Sequence, residues 1–128
     1  MGTSNTFHKL EKLSHKGSVD AIFQKKGQSI FNPPILLAFL KTELHTPYPC
    51  QVFVSVGKRK FKKAIDRNRI KRQITEVYRL NKNRIYEVIL DDSKYAIGIL
   101  FLGKVLPTST EIEKNVTLAI NEFIKRIK

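Results

Sequence analysis

Nine lysines and arginines and one acid, Asp66, fall between Lys58 and Arg72 in a stretch reading KRKFKKAIDRNRIKR. Like charges this close repel one another, so a local excess of +8 has no folding rationale. A polyanion relieves it, and the commonest polyanion is a nucleic-acid backbone. Arg67, Arg69 and Arg72 carry planar guanidinium forks that grip a phosphate through two hydrogen bonds. Lys58, Lys60, Lys62, Lys63 and Lys71 act as point charges, and Arg59 and Arg79 extend the same basic set. Asn68 is suited to bridging a phosphate or a 2′-hydroxyl. A face that merely meets water mixes signs to gain i,i+4 pairs, and this one barely does.

Hydrolysis by the polypeptide itself would need carboxylates or histidines gathered around a metal or a water. Only Asp91 and Asp92 adjoin, in a turn where loop solvation is the ordinary role, and His8, His15 and His45 have no metal-ligand spacing. No catalytic and no metal-binding residue is therefore assigned. Cys50, the single cysteine, excludes an internal disulfide and reads as a small core residue.

The basic segment needs a scaffold, and 128 residues, 41% of them hydrophobic, predict one domain over 1–128. Lysine and arginine number 24 against 11 acids, a net +13, of which only +5 lies outside Lys58 to Arg72. The positive charge is a patch. Residues 1–16 read as a loosely ordered basic arm without the apolar core of a signal peptide. Ile35 to Leu40 and Ile97 to Leu102, the longest apolar runs, are too short to span a bilayer, so a soluble cytoplasmic protein with no membrane partner is expected.

Ser18 caps a short first helix through Val19, Ile22 and Phe23, which Gly27 closes. Pro33 and Pro34 forbid helix before a strand at Ile35 to Leu40, and a β-branched strand follows at Gln51 to Val56. From about Ala64 to Asn81 the period becomes 3.6, with Ile70, Ile74, Val77 and Tyr78 in one arc and Asn68, Arg69, Arg72, Glu76 and Arg79 opposite. Asn83 to Leu90 could form a further short helix. Tyr95 to Leu102 has the uniform apolarity of a central strand, and Thr108 with Glu111 opens a last amphipathic helix through Ile127.

The run Arg67, Asn68, Arg69, Ile70, Lys71, Arg72, after Lys62, Lys63 and Ala64 and a strand ending Val54, Ser55, Val56, resembles the signature of the bacterial ribonuclease P protein component. The resemblance extends from about Leu10 to Ile127. It implies an α+β sandwich with a small sheet of about four strands, three main helices, and a left-handed βαβ crossover through the basic helix, against the usual right-handed rule. It also implies 5′-end maturation of precursor tRNA, in which a large RNA subunit with bound Mg²⁺ performs the hydrolysis and the small protein assists binding. The implied partners are that RNA and precursor tRNA, with no obligatory protein oligomer.

In much of the family two aromatics on the first helix and a tyrosine on the first strand form a cleft for the single-stranded 5′ leader. Here Phe23 matches one position, whereas Val19 and Ala38 occupy the other two and have no π-face; Phe31 and Phe39 are the aromatics left as substitutes. On the residues alone, a structured-RNA binder such as a small ribosomal protein is the alternative. DNA binding ranks third, because no two-helix reading unit precedes the basic helix.

Overall fold

The computed structural model of the chain describes residues 11–12, 27–44 and 46–128. The helix expected from Ser18, with Val19 and Phe23 on it, lies outside the described residues, as do His8, His15 and His45. Strands β1 (Gln28–Asn32), β2 (Ile35–Lys41) and β3 (Cys50–Val56) precede helix α1 (Ala64–Val88), strand β4 (Tyr95–Phe101) and helix α2 (Ser109–Ile127).

The four strands form one sheet in the order β1-β2-β4-β3, with β3 and β4 parallel and the other pairs antiparallel. Strand β4 is central, as its uniform apolarity predicts. Strand β1 completes the four strands that the resemblance implies, although the residue pattern alone did not mark it. It pairs with β2 across Pro33 and Pro34, which lack the N–H that would continue either strand. Only Ile30 of its five residues is buried, so no alternation marks it in the sequence.

Both described helices pack on one sheet face. Ile35, Leu37 and Phe39 of β2 and Ile97, Ile99 and Phe101 of β4 meet Ile70, Ile74 and Tyr78 of α1 and Val116, Ile120 and Phe123 of α2. The Phe123 ring stands edge-on to Phe39 at 4.7 Å between centroids and to Tyr95 at 5.8 Å. Burial of side chains this size contributes roughly 1.5–3 kcal/mol each. Phe39 is thereby a core residue.

The stretch Asn83 to Val88 is not a separate helix: α1 runs unbroken for 25 residues. Lys82 occupies the core-facing stripe one turn after Tyr78, and Ile85 resumes the apolar pattern beyond it. Asp91 follows the helix, and its carboxylate accepts a hydrogen bond from the Ser93 amide at 2.9 Å, a turn-forming role. The α2 cap is as predicted, with the Thr108 hydroxyl accepting from the Glu111 amide at 3.1 Å.

Candidate nucleic-acid interface

Strand β3 ends at Val56 and α1 begins at Ala64, after seven intervening residues, so the lysine-rich turn and the first turns of α1 form one projecting unit. Lys58, Arg59, Lys60, Lys62, Lys63, Asn68, Arg69 and Arg72 are exposed, and Arg67 and Lys71 are half-buried. Phe61 anchors the turn, buried with its ring 5.8 Å from that of Phe101.

Arg67 has a second task that its place in the basic run does not reveal. Its Nη1 donates to the carbonyls of Phe61 at 2.7 Å and Lys62 at 2.9 Å, tying the turn to the helix that follows. Lys63 at the N-cap makes no side-chain cap bond, and Asp66 is the one acid in the first turn of α1, where it partly offsets the positive end of the helix. Arg79 lies further along and pairs with Glu76, whose carboxyl it holds below the usual range through their hydrogen bond. Its charge is spent locally.

The sheet face away from the helices adjoins this unit. Phe31, Leu36, Leu100 and Ser55 form one row across the four strands, since Phe31 pairs with Leu36, Leu36 with Leu100, and Leu100 with Ser55. At the β3 end of the row a hollow of about 270 Å³ is lined by Ser55, Lys58, Lys60 and Leu100. At the other end Phe31 is 64% exposed. In the neighbouring row Ala38 lies opposite Gly98 and is itself 3% exposed, packed with Leu40, Leu44 and Phe53. A Cβ on Gly98 would stand 2.6 Å from the Phe53 ring, so glycine is what lets that ring lie on the strand.

One buried polar cluster has no counterpart in the expectations from sequence. Glu11 is fully buried, and its carboxylate accepts from Lys82 Nζ at 2.8 and 3.0 Å and from the Tyr86 hydroxyl. Lys12 bridges Val52 in parallel register, so the arm is docked against β3 at residues 11–12. Burial, and then the hydrogen bond to Glu11, raise the Tyr86 hydroxyl well above its ordinary pKa. The available signal was a lysine on an apolar helical stripe.

Among the described residues no three His, Cys, Asp or Glu side chains gather into a group able to hold a metal, and no helix is long and apolar enough to cross a membrane.

Residues 7–123 match the sequence model of the family described as Ribonuclease P. A ribonuclease P protein component from Porphyromonas gingivalis is 29% identical over 107 residues, which cover 83% of this chain and 77% of that protein. The RNase P protein from Thermotoga maritima superposes with a TM-score of 0.62 at 26% identity, over 92% of this chain and 98% of that one. The Staphylococcus aureus RNase P protein does so with a TM-score of 0.72 at 19% identity, over 88% and 94%.

Proposed function

Because this chain belongs to the ribonuclease P protein family, whose members serve tRNA processing together with the ribonuclease P RNA, we propose that its basic turn and the start of α1 hold that RNA. The adjoining sheet face then takes the single-stranded 5′ leader of precursor tRNA. One observation carries this reading: seven cations, Lys58, Arg59, Lys60, Lys62, Lys63, Arg69 and Arg72, are exposed on a unit braced from beneath by Arg67 and Phe61. Tying down the backbone of the turn beforehand lowers the ordering cost of meeting phosphates.

The leader reading rests on the row from the basic hollow to Phe31. The backbone of a single strand would lie near Lys58 and Lys60, and its bases would cross Leu100 and Leu36 toward the exposed ring. The cationic lining does not fit a Mg²⁺ site, which takes oxygen ligands. The metal and the hydrolysis belong to the RNA in this reading, and the protein lowers the electrostatic cost of bringing two polyanions together.

Reconstitution tests it. Freed of RNA, the protein should leave precursor tRNA intact in Mg²⁺; added to its cognate RNA, it should restore site-specific cleavage at low Mg²⁺. The Arg69→Ala, Arg72→Ala double variant should fold normally by thermal unfolding and bind the RNA at least about tenfold more weakly, the scale of a lost charge-assisted contact. Site-specific cleavage by RNA-free protein, or full affinity in the folded double variant, would overturn the reading.

A further inference from the structure

Beside the basic unit, α1 and α2 leave an open groove of about 720 Å³ between them. Its α1 wall runs from Arg69 to Asn81, roughly 18 Å along the helix. Its α2 wall is Ser109, Glu113 and Thr117, at successive turns. Two contacts pin the helices at its ends: Gln73 Nε2 donates to Ser109 Oγ at 2.8 Å, and Arg84 donates to Asn121 Oδ1. The helices run side by side in the same direction, held apart between these clamps.

The chemistry of the groove is graded along its length. Arg69 and Arg72 stand at the end nearest the basic turn. Val77 and Leu80 supply an apolar wall in its further half, and Leu80 is 55% exposed there although the Ile70, Ile74 and Tyr78 stripe is fully covered. The carboxylates of Glu76 and Glu113 line the remainder. Acids repel phosphate, so an RNA backbone is confined to the arginine end. Glu76 already accepts from Arg79 through both oxygens, so the Glu113 carboxylate is the one to accept a hydrogen bond from the exocyclic amine of a base.

We infer that this groove receives one unpaired, amine-bearing nucleobase of the RNA subunit, splayed out of a strand whose phosphates are held by Arg69 and Arg72. This rests on the assignment of the basic face to that RNA. A paired base has its edge occupied and its faces stacked, so the nucleotide comes from a loop, bulge or junction. The apolar wall takes the face of the base, and the Glu113 carboxylate reads its amine. Affinity for one structured RNA over others arises here, because the phosphate contacts carry no sequence information.

Two variants test the groove without altering charge: Thr117→Phe fills it, and Leu80→Gln removes its apolar wall. Each is checked for folding and titrated against the cognate ribonuclease P RNA over a range of salt. Each should bind about tenfold more weakly, the equivalent of about 1.4 kcal/mol, with the salt slope unchanged since no phosphate contact is lost. In an abasic scan of unpaired nucleotides, one position should weaken wild-type binding by a similar factor and leave Thr117→Phe binding unaffected. Full affinity in both folded variants overturns the inference, as does an abasic scan in which every position affects wild type and variant alike. If Arg69→Ala, Arg72→Ala weakens binding while both groove variants bind normally, the groove alone has failed; if that double variant also binds normally, the basic face has failed with it.

Discussion

A carboxylate and an ammonium withdrawn from water together lose hydration that only good geometry returns, and Glu11 with Lys82 meets that demand through two hydrogen bonds and a third from Tyr86. Removing one partner strands the other. Lys82→Met should therefore destabilise the fold by roughly 3 kcal/mol in denaturant unfolding, and combining it with Glu11→Leu should recover part of the loss, a coupling a double-mutant cycle measures directly. On the opposite sheet face the decisive residue is Phe31. Phe39 is packed against Phe123 in the core, so of the two aromatics proposed as stand-ins only Phe31 presents a ring to solvent. Phe31→Leu should weaken holoenzyme binding of leader-bearing precursor tRNA by about 1 kcal/mol, the low end of the stacking range, and leave leaderless tRNA binding unchanged. Equal losses for both ligands would make Phe31 an assembly residue instead.

Helix α1 carries three surfaces along one cylinder: a core stripe, a basic first third, and a flank facing α2. The first two were legible in the sequence, because Ile70, Ile74, Val77 and Tyr78 recur at helical spacing and Asn68, Arg69 and Arg72 fall opposite them. The helix's full length was not, because Lys82 interrupts the apolar stripe where its continuation would be read. What makes Lys82 acceptable there is Glu11, 71 positions away, a pairing no local pattern encodes. Strand β1 escaped for a related reason: an edge strand with one buried side chain has no periodicity to detect. The basic third sets the salt response. Log affinity for the RNA should fall by roughly 0.7–0.9 per phosphate for each tenfold rise in salt, and Lys63→Ala should reduce that slope by about one contact's share; a flat response would remove the segment from the interface.

At the scale of the whole molecule, the sheet separates two environments. One face is sealed by α1 and α2; the other carries the row from the basic hollow to Phe31, and the charged unit projects from the carboxyl ends of the two parallel strands, where backbone and side chains emerge together. The α1–α2 groove depends on how far apart two helices come to rest, and that distance is fixed by the core beneath them and not by either helix's own pattern. Cys50 begins β3 with no exposed surface, and desolvation followed by the nearby Glu11 carboxylate lifts its thiol far above the ordinary value. The chain thus carries its own stopwatch. A thiol reagent reaches its target only when the core packing around it opens, so the pace of modification follows those openings in a molecule that needs no added label.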